Sequence, residues 1–269
     1  MQDVGVELCL VCGGETTETR YGVSRFSECP RCGLARVRDY DGRLDYWDSK
    51  CIDDPYWSRA RESYFRGALA ALPPGRLLDI GGGVGEFAHV ARSLGRDAYS
   101  LDTSQGATAA ARRLIGEHAI MDAPAGVFDI ATLWCVIAHV ADPGGLLDSA
   151  VAALRPAGTL WLTTPNFAFQ KRYARLLNTA GRPLVFGGGD DHLWQFTADS
   201  LTRLLRQHDF TDVRFTYRGV TEWCSSGRSS SRVLVGCKRG WNRAAITCHR
   251  AGLPLLTSDL QVLARRTCA

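Results

Sequence analysis

Residues 77–87 read LLDIGGGVGEF. A short apolar run carries one aspartate, Asp79, and ends in a turn with glycines at positions 81, 83 and 85. The spacing predicts a buried strand, a tight turn and the first residues of a helix. Glycine at alternate positions removes the Cβ atoms that would hold a ligand away from the backbone.

The pattern repeats outward from this turn. Strand-like runs lie at 77–80, 97–102, 128–134, 158–165, 212–218 and 259–266, with a weaker one at 119–122. Helix-like runs fall between them at 85–95, 104–116, 143–158 and 197–210, and another precedes them at 55–72, opened by Pro55 and stopped by PPG at 73–75. Strand and helix in alternation predict an α/β fold: a Rossmann-like, seven-stranded, mostly parallel sheet flanked by helices. In such a sheet ligands bind outside the carboxyl ends of the strands, where the strand order reverses, and the turn after the first strand is that place.

Two nucleotide classes use turns of this kind. Gly83-Val-Gly85-Glu-Phe-Ala88 fits the GxGxxA dinucleotide pattern, and Asp102 in YSLDTS stands where an acid would accept ribose hydroxyls. Three features point away from a dinucleotide. Asp79 inside the strand and Glu86 after the turn place carboxylates where a pyrophosphate would sit, whereas the ammonium of an amino-acid moiety would be drawn to Asp79. The turn also follows a helix and a cysteine-rich segment instead of opening the chain.

That segment occupies residues 1–38. Cys9-x-x-Cys12 and Cys29-x-x-Cys32 are separated by sixteen residues, and each pair is followed by glycine. Two such knuckles close a tetrahedral thiolate site, and four thiolates fill a zinc ion's coordination, so the spacing predicts a structural zinc module, with iron–sulfur as the alternative. A segment this short has too little core to fold without the metal. The remaining cysteines (Cys51, Cys135, Cys224, Cys237, Cys248 and Cys268) are scattered, as small apolar fillers are. Residues 39–54 read as a linker and 55–269 as the main domain.

With 269 residues, 45% hydrophobic and 22% charged, the chain suits one substantial globular domain with a small appendage. No apolar run approaches the roughly 20 residues of a membrane helix. The first residues lack the basic flank of a signal peptide, so the expected location is cytoplasmic. The net charge of +4 does not imply a nucleic-acid partner, although nine arginines and Lys238 between 203 and 250 make the last third basic.

These motifs together resemble the class I S-adenosylmethionine-dependent methyltransferases of the small-molecule, ubiquinone-methyltransferase-like type, over roughly residues 55–266. LLDIGGGVGEF and YSLDTS resemble that family's first two motifs, and FDIATLWCVIAHVADPGG its fourth-strand block. The leading CxxC…CxxCGL is similar to a zinc module fused to a subset of the family. The resemblance implies S-adenosylmethionine as cofactor, held by Asp79, Gly81, Gly83, Gly85, Asp102, Thr103, Asp122 and Trp134, with Asp122 meeting the adenine amino group. It also implies a small-molecule acceptor. One departure stands out: Cys135 and Ala138 occupy positions where relatives carry acids before the histidine, which argues against the usual divalent ion there.

A hydroxyl or amine acceptor needs a base. His139, in the loop after the fourth strand, is the first candidate, with structural packing as its other reading. His192, oriented by Asp191 in GGGDDHLWQF, is the second, and a capping loop is its alternative. Trp134, Phe169, Tyr173 and Trp194 are candidate pocket walls or core, and Tyr56, Arg59 and Tyr64 candidate covers of the cofactor. The expected reaction is O-methylation of a secondary metabolite or sugar by a monomer or homodimer. The alternatives are N- or C-methylation, an RNA methyltransferase gripping nucleic acid through the zinc module, and, more distantly, an NAD-dependent oxidoreductase. Against RNA, five arginines in the module face five acids, and TTPN lacks an NPPY-type base clamp.

Overall fold

The computed structural model describes residues 7–21, 24–38, 59–179, 192–218, 232–253 and 256–268. Three short strands come first: β1 (Thr17–Tyr21), β2 (Ser24–Glu28) and β3 (Ala35–Val37). The main sheet follows, from β4 (Leu77–Ile80), β5 (Ala98–Leu101), β6 (Ala119–Ile120), β7 (Phe128–Trp134) and β8 (Leu154–Pro165). Between these lie α1 (Arg59–Leu69), α2 (Glu86–Ser93), α3 (Gln105–Ile115), α4 (Pro143–Ala153) and, after β8, α5 (Phe167–Thr179). The chain continues through β9 (Trp194–Gln195), α6 (Ala198–Gln207), β10 (Phe210–Thr216), α7 (Arg232–Arg250) and β11 (Asp259–Arg266).

The seven-stranded sheet has the order β10-β11-β8-β7-β4-β5-β6. Five strands from β8 to β6 run parallel, and β11 lies antiparallel between β8 and β10. From β4 the chain builds outward to β5 and β6 on one side, then returns to lay β7 and β8 on the other. The order therefore reverses between β4 and β7, and a crevice opens at their carboxyl ends.

Both faces of the sheet are covered, which explains the unbroken apolar strands. All four residues of β4 are buried. Leu78, Ile80, Ala131 and Leu133 pack toward α4 and α6, with Leu147, Ala150, Leu201, Leu204 and Leu205. Their neighbours Leu77 and Ile130 face the other way, onto Phe65, Phe87, Ala88 and Ala111 of α1, α2 and α3. This is the period-two alternation of a two-sided strand. Truncating a side chain as deeply placed as Leu78 to alanine would cost about 2–5 kcal/mol.

The cysteine segment shares this core. Cys9, Val11, Cys29, Cys32 and Leu34 are buried in the same cluster as Leu201, Leu204 and Leu205. Its sheet has four strands, β1-β2-β3-β9, and the fourth comes from 194–195, paired through Ala35↔Gln195 and Arg36↔Trp194. Thr197, the N-cap of α6, accepts from the Ser200 amide and donates to the Cys32 carbonyl at 2.7 Å. Gln207 donates to the Val11 carbonyl at 2.7 Å, and Lys171 pairs with Glu28 at 2.6 Å.

Some boundaries differ from expectation. The helix read over 143–158 ends at Ala153, because Leu154 pairs with Phe128 and begins β8. Residues 167–179 form a helix that the sequence reading left unassigned, opened by the Asn166 side chain, which accepts from the Ala168 amide. The stretch 39–54, read as a linker, lies outside the described residues. No described helix is long and apolar enough to cross a membrane.

Candidate active site

The glycine turn closes the carboxyl end of β4. Gly81, Gly83 and Gly85 all have left-handed backbones, with φ of 69°, 55° and 80°. Their surroundings differ. A Cβ on Gly81 would lie 2.7 Å from both methyl groups of Val136, so glycine here lets the loop after β7 press against the turn. A Cβ on Gly83 would meet nothing within 4 Å. Gly83 therefore presents bare backbone to open space, as a bound nucleotide requires. Gly82, which the sequence reading passed over, is the most confined: a Cβ there would sit 2.3 Å from Ser100 Oγ and 2.8 Å from Asp79 Oδ2.

Asp102 follows β5, and its carboxylate is fixed by backbone. Oδ2 accepts from the Gly83 amide at 2.8 Å, and Oδ1 accepts from the Ser104 amide at 2.8 Å. Each oxygen keeps further acceptor capacity for ribose hydroxyls. Ser104 also caps α3 by accepting from the Ala107 amide. Thr103 is exposed beside Asp102, and Asp122 is exposed just beyond β6. Both lie on the carboxyl edge of the sheet, on the Asp102 side of the crevice.

Asp79 is 1% exposed, and Thr132 of β7 donates to its Oδ1 at 2.7 Å. Burial raises its carboxyl to a pKa of about 8 against the opposing Thr132 hydrogen bond, and the Asp102 charge adds to the rise. The Arg61 charge opposes the rise without cancelling it, and a ligand ammonium at the turn would add a second cation. Glu86, at the N-terminus of α2, is also buried and pairs with Arg61 of α1 at 2.6 Å. Burial raises its pKa, and Arg61 opposes the rise. Arg61 was not singled out from the sequence. An arginine on a helix face carries no signal of the buried acid it meets.

Trp134 ends β7 in an aromatic cluster, 4.8 Å from Phe87, 5.2 Å from Phe65, 5.6 Å from Tyr64 and 6.0 Å from Trp161 between ring centroids. The cluster packs the wall of the crevice between α1, α2 and the sheet. Tyr56 lies outside the described residues, as does the Arg59 side chain.

On the far side of the turn the structure brings three residues together. Cys135 Sγ lies 3.3 Å from His192 Nε2, and the His139 and His192 rings are 4.4 Å apart between centroids. The segment carrying His192 is held to the β7–α4 loop by Trp194, whose amide donates to the Ala138 carbonyl and whose indole donates to Val140. Burial, reinforced by His139, lowers the His192 pKa to about 3, so its ring stays neutral. Asp191, expected to orient His192, lies outside the described residues. Cys135, read from sequence as a filler, has a left-handed backbone with φ of 63°. Trp194 ties these segments together through both of its N–H groups, and Phe169 stacks on Tyr173 and meets Trp241 on the α5–α7 surface.

The thiols of Cys9, Cys12, Cys29 and Cys32 converge, all within 4.8 Å of one another. The closest pairs are Cys12–Cys29 at 3.4 Å and Cys9–Cys32 at 3.5 Å. A zinc tetrathiolate with bonds of about 2.3 Å has S···S edges of about 3.8 Å, so the four sulfurs fit such an ion. Each knuckle turns on a left-handed glycine, Gly13 or Gly33, whose amide donates to the Cys9 or Cys29 carbonyl.

Residues 56–214, more than half of the chain, match the family model described as a methyltransferase domain. Ubiquinone biosynthesis O-methyltransferases are among the curated relatives. That of Methylococcus capsulatus is 28% identical over 112 residues, covering 37% of this chain and 47% of the relative. That of Xanthomonas campestris pv. campestris is 29% identical over 111 residues, covering 37% and 46%. The matched stretch thus spans about half the length of these relatives. Among solved structures, an S-adenosylmethionine-dependent methyltransferase of Thermotoga maritima, described as a possible histamine N-methyltransferase, superposes with a TM-score of 0.50 at 15% identity, over 76% of this chain and 88% of its own. At that identity the likeness speaks to fold alone. With the strand order, the glycine turn and the family match in agreement, the chain belongs to the class I S-adenosylmethionine-dependent methyltransferases.

Proposed function

We propose that the protein transfers the methyl group of S-adenosylmethionine to a small-molecule acceptor, by O-methylation of a hydroxyl on a secondary metabolite or sugar. One observation carries the cofactor side: a turn open at Gly83 stands between the amide-held carboxylate of Asp102 and the buried, cation-seeking carboxyl of Asp79. S-adenosylmethionine, when bound, supplies an already activated methyl on a sulfonium. The chain's part is to hold and orient. Asp102 accepts ribose hydroxyls, Asp79 balances the ammonium, Asp122 reaches the adenine edge, and Gly83 lets the backbone approach, while Gly81 and Gly85 shape the turn by admitting Val136 and Ala111. Thr103 borders the ribose side, and Trp134 walls the crevice.

The acceptor side is the Cys135–His139–His192 cluster across the turn. His139 is the residue that activates the attacking hydroxyl in this reading, with His192 beside it. The O-methyltransferase relatives favour oxygen as the methylated atom over nitrogen or carbon. The four-cysteine site is proposed to hold a structural zinc ion that locks residues 7–38 onto β9 and α6.

The test is transfer of a labelled methyl group from S-adenosylmethionine to a panel of phenols, sugars and amines, with wild type and His139→Ala. Transfer to hydroxyl acceptors, reduced about 10²–10⁴-fold in the variant, supports the assignment. Transfer only to amines, or transfer that His139→Ala leaves intact, rejects it.

A further inference from the structure

Cys135, His139 and His192 come from the end of β7, the loop behind it and the residues before β9, fifty-seven positions apart at the extremes. Their sulfur and nitrogen atoms all lie within 4.8 Å of one another. The 3.3 Å between Cys135 Sγ and His192 Nε2 is close to the S···N edge of about 3.5 Å that a tetrahedral zinc ion imposes. The backbone is bent to achieve this. The left-handed conformation of Cys135 costs a residue with a Cβ about 1–2 kcal/mol. It is held by the Cys135 amide, which donates to both the carbonyl and the hydroxyl of Thr163, at 3.0 and 3.2 Å. Such strain, kept in place by its surroundings, is characteristic of functional sites.

The cluster differs from the four-cysteine site in the property that matters for chemistry. Three of the four thiolates at the N-terminal site are buried, and four ligands leave a zinc ion no free position. Here there are three donors, all partly exposed, so a tetrahedral ion would keep one position open. One thiolate and two imidazoles suit zinc or another late first-row ion, whereas magnesium and calcium require oxygen donors. The loop carrying two of the donors also carries Val136, which presses on Gly81 of the cofactor turn.

We infer that Cys135, His139 and His192 bind a second metal ion, a divalent cation of the zinc class, whose open position takes the acceptor's oxygen. This rests on the methyltransferase reading above and specifies how His139 activates the hydroxyl, through the ion it helps to hold. The acceptor hydroxyl binds through oxygen, its O–H bond breaks, and the proton passes to solvent. The oxygen lone pair forms the new O–CH3 bond while the S–CH3 pair returns to sulfur, leaving S-adenosylhomocysteine and the methyl ether. No oxidant or reductant is involved.

The test is metal stoichiometry on the full chain, loaded with zinc, desalted and measured by elemental analysis, with cobalt(II) spectra as the second readout. The wild type should hold about two equivalents, and Cys135→Ala and His192→Ala about one each, because one site is tetrathiolate and the other Cys-His-His. Cobalt in the wild type should show two spectral components, and the variants only the tetrathiolate one. About one equivalent in the wild type, or two retained in both variants, overturns the inference. Should a variant misfold by circular dichroism, competition of the wild type against a chromophoric chelator decides the matter, through two zinc-release steps or one. S-adenosylhomocysteine binding is measured on the same samples. Cofactor binding with about one zinc sinks the second site and leaves the methyltransferase reading standing. About two zinc ions without cofactor binding does the reverse.

Discussion

Replacing Gly83 by alanine separates folding from cofactor binding. The new methyl group meets nothing within 4 Å, so no packing is disturbed. The cost to the fold is that of a Cβ at φ 55°, about 1–2 kcal/mol. For a chain of this size that lowers Tm by about 2–8 °C. The effect on the ligand is larger. An atom in van der Waals contact with the Gly83 Cα lies about 3.5–4.0 Å away, and the methyl group would occupy that gap. Binding of S-adenosylhomocysteine should weaken by at least about 30-fold, roughly 2 kcal/mol. Gly82→Ala is the contrast. Its Cβ would collide with Ser100 Oγ at 2.3 Å and Asp79 Oδ2 at 2.8 Å, so it should lose stability first, by more than about 2 kcal/mol. Thermal melts and calorimetric titrations of both variants check this. A folded Gly83→Ala protein that binds as tightly as wild type would refute the placement of the cofactor against this turn.

Four further outcomes follow from the same geometry. Asp79 keeps its proton in the folded chain up to about pH 8, while the unfolded chain loses it near 4. Its contribution to stability is therefore full below about pH 4 and is lost as pH rises toward 8; Asp259, raised by burial to about 7, acts in the same direction, and Asp79→Asn should flatten the measured slope of stability against pH. Cofactor binding at pH 7 should release close to one proton from Asp79, seen as a dependence of binding enthalpy on buffer ionisation that Asp79→Asn abolishes. Arg61→Ala strands Glu86 without its 2.6 Å partner and should destabilise by about 2–4 kcal/mol in urea titrations, whereas Arg61→Met with Glu86→Gln should recover most of that. Stripping zinc with a strong chelator should lower the Tm of the single main transition instead of releasing a separate early one, because Cys9, Cys29 and Cys32 sit in the same core as α6.

Much of the fold was legible because its signals are local. The LLDI strand, the glycine turn, the acid ending β5 and the paired CxxC knuckles are short patterns whose residue types admit few conformations. What escaped was tertiary. Two residues, Trp194 and Gln195, become the edge strand of the cysteine sheet only because β3 lies beside them. No propensity over so short a stretch announces that. The Arg61–Glu86 pair likewise joins positions distant in sequence, and although His139 and His192 stood out singly as candidate bases, nothing local announced that they meet each other and Cys135. Gly82 was overlooked because it falls between the spaced glycines of the motif, although its neighbours leave the least room. Residues 167–179 escaped assignment because the preceding strand block ends in TTPN, a turn-like stretch whose asparagine in fact caps the helix.

Calorimetric titration of the wild type and Asp102→Ala with S-adenosylmethionine, S-adenosylhomocysteine and NADH decides which cofactor the glycine turn takes. Asp102 is chosen because its two oxygens are held by the Gly83 and Ser104 amides at 2.8 Å, and it is the residue proposed to accept the ribose hydroxyls. The first two ligands should bind at ~micromolar concentration, with binding lost or weakened at least about 30-fold in the variant, and NADH should not bind. Binding of NADH alone, or S-adenosylmethionine binding that Asp102→Ala leaves unchanged, would contradict the S-adenosylmethionine assignment.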